Sequence, residues 1–339
     1  MSRSDLARAS KLTAPTISAL VAELEAEGLV TDIGLREEPR IGKPATLVQI
    51  DDDARYVIAI DVSGTQRFTG ALVNLRGAVV NRAEVPAVDV RGERAVELVV
   101  ELAEKLRALT TRPVLGIGVG SPGIIDPAGV VLEAVKMSWV DLPLAGRIAD
   151  RTGLPTHVGN DVNLEALGVY HFRPAFDQDL MVVSIEHGVG VGLMIGGRLV
   201  EGARFAAGEI GHVTVVEADE LCHCGRRGCL EMLLSATHLA RRCKQVPPSE
   251  RDRPLREAGN ALGVVLAPIV SALNLGEVVI TGPTELIDGP LLQAVTETTR
   301  ARTLPSTSDG LSIRSLIGES ELTMLGAAAL VLSAELGVM

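Results

Sequence analysis

Three of the four cysteines in this chain, Cys222, Cys224 and Cys229, fall within eight residues, and His212 precedes the first of them by ten positions. Three thiolates and one imidazole make the closed tetrahedral ligand set of a structural zinc ion. Gly225 and Gly228 let the backbone turn sharply between Cys224 and Cys229, as a knuckle around a metal requires. Such spacing in a Cys-poor chain points to a metal rather than to idle thiols. His223 lies inside the same knuckle and could replace His212. His212 is preferred because the one-residue spacing between ligands is already taken by Cys222 and Cys224. Two carboxylates, Glu209 and Glu231, bracket the loop. A metal that pins the loop also fixes where they point, which suits them to holding hydroxyl groups.

The chain that must position these groups has 339 residues, enough for two or three domains. With 47% hydrophobic but only 2% aromatic residues, its core must be built from Val, Leu, Ile and Ala. A net charge of −11 excludes nucleic-acid binding by the whole surface and leaves room for one small DNA-binding module. The reduced cysteines (Cys243 is expected to be an inert buried thiol) and the charged, polar Met1–Leu12 predict a cytoplasmic protein without a signal peptide. The longest apolar stretch, Ala261–Ile280, is interrupted by Pro268, Ser271, Asn274 and Glu277. It reads as a helix followed by a strand, with no membrane span.

Residues 1–50 read as a separate module. Ser4 caps a short helix over Ser4–Ala9, and a turn follows at Ser10–Leu12. Thr13 caps a second helix that carries Pro15 in its first turn, Ile17, Leu20, Val21 and Leu24 at helical spacing, and Gly28 at its end. Two strands, Leu29–Asp32 and Ala45–Ile50, flank a segment that bears Arg36, Arg40 and Lys43. This is the pattern of a winged helix-turn-helix. Thr13, Thr16 and Ser18 would face a DNA groove, and the three bases of the wing would face phosphates. The module holds six basic and seven acidic side chains, and three of the acids, Glu23, Glu25 and Glu27, cluster at the far end of the second helix.

From Tyr56 onward the pattern is α/β. Strands are expected at Tyr56–Ile60, Phe68–Asn74, Ala78–Val85, Val114–Val119 and His157–Asn160, with helices at Ala95–Thr110, Leu142–Thr152 and Val162–Tyr170. The sequence then repeats itself: a strand at Leu180–Ile185, a glycine turn over Gly188–Gly192, and a hairpin joined at Gly196-Gly197. The repetition predicts two similar lobes, over 56–170 and 171–339, with a cleft between them. Glycine turns of this kind can cradle phosphates through backbone N–H groups.

The segments Asp61-Val62-Ser63-Gly64-Thr65, Gly118-Val119-Gly120-Ser121-Pro122-Gly123, Asn160-Asp161-Val162-Asn163, Gly208-Glu209-Ile210-Gly211-His212 and the cysteine knuckle resemble, in order, those of the ROK family (repressor, open reading frame, kinase). The resemblance implies a two-lobed sugar kinase/actin-like (ribonuclease H-like) fold with a structural zinc loop, preceded by the winged helix of the family's repressors. In those repressors Met1 would fall past the first helix of the module, so the resemblance implies that N-terminal residues are missing. It also implies that Asn160, Asp161, Glu209, His212 and Glu231 hold sugar hydroxyls, and that His212, Cys222, Cys224 and Cys229 hold zinc. In the family's kinases the residue matching Asp161 is the general base.

The nucleotide side departs from the kinase pattern. Asp61, Gly64 and Thr65 of the first phosphate turn, and Gly188 and Gly190 of the second, are expected as vestiges. Ser63 stands where kinases have Gly, and Val189 where they have Thr. Thr281-Gly282-Pro283 stands where they have a glycine run. Each of the last two changes weakens a polyphosphate cradle, since Val removes a hydroxyl and Pro a backbone donor. The expectation is a sugar-responsive regulator, a dimer or tetramer, that binds operator DNA and a sugar or sugar phosphate. The alternative is a sugar kinase using Mg-ATP, with a vestigial DNA-binding module.

Overall fold

Ser2 opens the first helix. Its hydroxyl accepts from the Asp5 amide at 3.2 Å, and the Asp5 carboxylate accepts in return from the Ser2 amide at 3.2 Å. The cap is therefore Ser2, and the expected Ser4 lies inside the helix. In the computed structural model, which describes residues 1–35, 46–173, 179–216, 220–318 and 321–338, helix α1 spans Arg3–Ser10 and α2 spans Ala14–Ala26. Lys11 turns the chain between them in a left-handed conformation, with φ of 60°. Thr13 caps α2 by accepting from the Thr16 amide at 3.4 Å. Strands β1 (Val30–Leu35) and β2 (Thr46–Ile50) then pair antiparallel. Ile17, Val21 and Val48 form a small core with Leu6, Ala7 and Val30. Arg36, Arg40 and Lys43 lie outside the described residues.

The next unit is built on a five-stranded sheet. β3 (Tyr56–Asp61), β4 (Arg67–Asn74) and β5 (Val79–Pro86) form an antiparallel meander, and β6 (Val114–Ser121) pairs parallel with β3. A small three-stranded sheet follows: β7 (Ile124–Ile125), β8 (Val131–Ala134) and β9 (Trp139–Leu142). β9 takes the start of the segment expected to be helical, so that helix begins at Leu144. β10 (Thr156–Asn160) completes the first sheet beside β6. β3 is apolar on both faces, as a central strand covered on both sides must be. Helices α3 (Gly92–Arg107) and α4 (Leu144–Thr152) cover one face with Val96, Val99, Leu102, Leu106 and Ile148.

The second sheet repeats the plan. Helix α5 (Asp161–Phe172) leads into the meander β11 (Leu180–Ile185), β12 (Val189–Ile195) and β13 (Arg198–Leu199). After helices α6 (Glu231–Leu234), α7 (Ala236–Lys244) and α8 (Asp252–Leu273), β14 (Glu277–Thr281) pairs parallel with β11. Helices α9 (Thr284–Ile287), α10 (Pro290–Ala301) and α11 (Pro305–Ser308) then lead to β15 (Ser312–Ser315), parallel to β14. The strand orders are β10-β6-β3-β4-β5 and β13-β12-β11-β14-β15. Read outward from β3 and from β11 they are the same topology, which bears out the internal repetition. The glycine turn expected over 188–192 is shorter than the sequence suggested, because Val189 already belongs to β12.

The last helix, α12 (Leu322–Leu336), crosses back. Met324, Leu325, Ala327, Ala328, Val331 and Leu332 pack with Val57, Ala59, Ala71 and Val73 of the first sheet. A boundary at residue 170 therefore misassigns this helix: it is C-terminal in sequence but covers the first lobe. It also lies against α5, where a Cβ on Gly326 would collide with the Leu164 carbonyl, so the two backbones touch directly.

Candidate functional site

α5 begins at the mouth of a cleft of about 680 Å³ between the lobes. Asn160 ends β10 and caps α5. Its Oδ1 accepts from the Val162 and Asn163 amides, both at 3.0 Å, and its Nδ2 donates to the Gly123 carbonyl at 3.0 Å. The cap fixes Asp161, the first helical residue, at the cleft wall. Burial pushes the Asp161 carboxyl up to about 7, and the Asp61 charge adds to the effect. Asp61 ends β3, accepts from the Ser63 amide at 2.9 Å and is itself raised by burial.

One turn further along α5 stands Glu165, a residue the motif reading missed. Its carboxyl accepts from Ser184 Oγ at 3.0 Å and from Thr281 Oγ1 at 2.7 Å. Burial raises it to about 8 despite those two donors. Its i, i+4 spacing from Asp161 puts both on one helical face, and that was the available signal.

The other wall comes from the second lobe. Glu209, half-exposed, precedes a 3-10 turn over Ile210–His212, with its carboxylate 3.8 Å from His212 Nε2. Burial raises the Glu209 carboxyl. Glu231 is buried at 7% exposure at the start of α6. It accepts from the Val189 amide at 3.2 Å and faces His223 Nδ1 at 3.0 Å. Asn160, Asp161, Glu209, His212 and Glu231 all line the same cleft, so the structure brings the expected hydroxyl-binding set together.

Donor atoms of His212, Cys222, Cys224 and Cys229 lie within 4.8 Å of one another. His212 Nδ1 is 3.6 Å from Cys222 Sγ, and Cys224 Sγ is 3.6 Å from Cys229 Sγ. A tetrahedron with Zn–S near 2.3 Å and Zn–N near 2.0 Å separates its ligand atoms by about 3.5–3.8 Å, so these residues fit the metal. The knuckle closes through the Cys222 amide, which donates to the Arg226 carbonyl at 2.8 Å. His223 Nδ1 lies 3.8 Å from Cys222 Sγ and forms a second group with His212 and Glu231, so His212 belongs to both groups. Cys243 is only half-buried.

The residues expected as vestigial phosphate turns are differently placed. Thr65 Oγ1 meets His187 Nε2 at 3.4 Å across the cleft. Gly64 follows Ser63 in a tight turn, where a Cβ would strike the Arg67 carbonyl. Gly188 lines the cleft. Gly190 is a strand residue paired with Ser184, and its missing Cβ makes room for Val162 of α5. The Val189 amide is taken by Glu231, Thr281 by Glu165, and Pro283 has no N–H to offer.

A family model described as the ROK family matches residues 57–334. The chain belongs to that family. Among ROK relatives, it is 33% identical over 241 residues to the xylose repressor of Caldicellulosiruptor bescii, covering 69% of this chain and 60% of that protein. The chain thus spans about three fifths of the length of that repressor. It is 29% identical over 298 residues to the glucokinase of Halalkalibacterium halodurans, covering 77% of this chain and 90% of that enzyme. Among solved structures it superposes on a ROK family transcriptional regulator, a homolog of the Escherichia coli MLC protein, with a TM-score of 0.83. That alignment covers 98% of this chain and 92% of the other at 23% identity, a likeness of fold. Among the described residues, no helix is long and apolar enough to cross a membrane.

Proposed function

We propose that this protein is a sugar-responsive transcriptional regulator of the repressor branch. The asymmetry of the cleft carries the reading. On one side, the carboxyl groups of Asp161, Glu209 and Glu231 converge as hydroxyl acceptors, with Asn160 capping the helix that carries Asp161. On the other, two donors a triphosphate would need, the Val189 amide and the Thr281 hydroxyl, are spent on Glu231 and Glu165, and Pro283 has no N–H to offer.

The remaining parts follow from that reading. Residues 1–50 act as a winged helix-turn-helix that binds operator DNA. Thr16 and Ser18 are exposed at the start of α2, and Thr13 and Thr16 share a hydroxyl hydrogen bond of 2.8 Å. The wing carrying Arg36, Arg40 and Lys43 grips phosphates. A structural zinc, held by His212, Cys222, Cys224 and Cys229, would set the directions of Glu209 and Glu231. The protein works in the cytoplasm as a homo-oligomer, and effector binding between the lobes shifts it between states of different DNA affinity. The test is to select bound fragments from a genomic DNA library, then titrate sugars into the complex. A protein that selects no sequence, or whose DNA affinity no sugar changes, is not this regulator.

One observation favours a second reading. A carboxyl near pH 7 at Asp161 suits a general base, and an ATP-dependent sugar kinase would use it so. Sugar-dependent consumption of Mg-ATP by the purified chain would establish that activity.

A further inference from the structure

Residues 51–55 join the N-terminal module to the first lobe, and the link is bonded on both sides. On the module side the Asp51 amide donates to the Leu29 carbonyl at 2.9 Å, and Arg55 Nη2 donates at 3.2 Å to the carbonyl of Glu27, which caps the end of α2. On the lobe side the link is tied to the turn between β4 and β5. Asn74 Nδ2 donates to Asp53 Oδ1 at 3.1 Å, the Leu75 amide to the Asp52 carbonyl at 3.0 Å, and Arg76 Nε to Asp52 Oδ2 at 2.7 Å. Asn74 also knits the turn itself, since its Oδ1 accepts from the Arg76 and Ala78 amides at 3.1 and 2.9 Å. Among the described residues, the module's core cluster contains none from either lobe.

The same turn touches the helix that begins in the cleft. Gly77, with φ of 80°, presents bare backbone, and a Cβ there would strike the ring of Phe172. Phe172 is the last residue of α5, and Asp161 is the first. Twelve helical residues span about 18 Å, so one rigid element reaches from cleft to turn. α5 packs on the second sheet through Ala166 and Val169, whereas Phe172 packs with the apolar cluster of the first. Movement between the lobes is therefore felt where Phe172 meets Gly77.

Asp52 gives the link a second state. Its Oδ2 holds Arg76, but its Oδ1 is buried with no hydrogen-bond partner. A dry, unpaired carboxylate oxygen is costly, and opening the clamp would hydrate it. Arg76 is 65% exposed, so the ion pair offsets little of that cost. Closed and open forms thus lie close in free energy, and a small displacement of the turn shifts their balance.

We propose that cleft occupancy reaches the DNA-binding module through these contacts: a ligand at Asp161 shifts α5, Phe172 displaces the turn at Gly77, and Asn74, Leu75 and Arg76 pass the displacement to residues 51–55 and so to α2. The inference deepens the regulator reading and rests on it.

The test uses the whole chain with glucose, xylose and N-acetylglucosamine as probes. It follows sugar affinity by calorimetry, amide hydrogen exchange along the chain, and affinity for a selected DNA fragment. A bound sugar should change exchange at the Asp51 and Leu75 amides and alter DNA affinity by on the order of tenfold. Phe172→Ala should keep sugar affinity and lose both changes. Arg76→Ala, at an exposed side chain that does not threaten folding, should keep the response at Leu75 and lose those at Asp51 and in DNA affinity. Arg67→Ala breaks an exposed ion pair with Glu84 across the same two strands and should behave as wild type. A sugar that alters DNA affinity without altering exchange at Asp51 and Leu75, or that acts on Phe172→Ala and Arg76→Ala as on wild type, overturns the inference and leaves the regulator reading intact. Exchange changes at the link with no effect on DNA would sink the regulator reading and leave the coupling standing. If none of the three sugars binds, both fall.

Discussion

Glu165 sits one turn after Asp161, and its carboxyl receives the hydroxyls of Ser184 and Thr281, two residues that pair in register across β11 and β14. One carboxyl thus ties α5 to two strand ends of the second sheet. Its ordinary value of 4.5 rises to about 8 in the fold. Between these values the folded state holds a proton that the unfolded state has released, so stability falls as pH rises through the window and levels off above it. Asp161, raised to about 7, and Asp61, also raised, act in the same sense. Glu165→Gln keeps the shape and cannot ionise. Its melting temperature should therefore gain on the wild type between pH 5.5 and 8.5. Parallel curves for the two proteins would show that Glu165 does not titrate in this range.

Metal content is the simplest measurement. Freshly purified, reduced protein should hold one zinc per chain by elemental analysis. Cys224→Ser should lose most of it, lower the melting temperature by on the order of 5 °C, and weaken sugar binding by freeing Glu231. Zinc-free wild type that binds sugar normally would remove the metal from the site.

For DNA, Thr16→Ala should relax sequence preference at one or two base positions, at a cost of about 1–3 kcal/mol on the preferred site. Lys43→Ala should weaken binding to every sequence and reduce the slope of log affinity against log salt by about one. An unchanged slope would take Lys43 off the phosphates.

Asp161→Asn removes a charge and nearly preserves shape. A regulator should lose sugar affinity and the sugar's effect on DNA together. A kinase should keep some sugar binding and lose turnover. Because each buried acceptor left unpaired costs about 1–3 kcal/mol, wild type should separate sugar epimers by roughly tenfold or more in calorimetry, and Asp161→Asn should narrow that gap for the hydroxyl it faces.

What the sequence made legible was local in the chain. The knuckle donors lie close together along it, so spacing alone exposes them, and the meander strands show as apolar runs between turns. Glu165 was hidden because its partners are 19 and 116 residues away, so only the folded sheet brings them to it. α12 is apolar all round, which marks it as buried without saying against which sheet. Gly190 read as a turn because glycine serves turns and close packing alike, and only the position of Val162 separates the two.

The bare contact between α5 and α12 has a mechanical consequence. α12 lies on the first sheet and α5 on the second, and where Gly326 meets Leu164 there is no side chain to act as a cushion. A second such approach one turn along, Gly168 against the Leu322 carbonyl, locks the two helices together backbone to backbone, so neither can shift without disturbing its packed neighbours. Any closure of the cleft that moved one sheet against the other would have to pass through this contact, and Asp161 lies only about one turn of α5 from Leu164. Gly326→Ala would drive a methyl into the Leu164 backbone, and the expected result is a large drop in melting temperature, because the two helices that join the sheets would have to part.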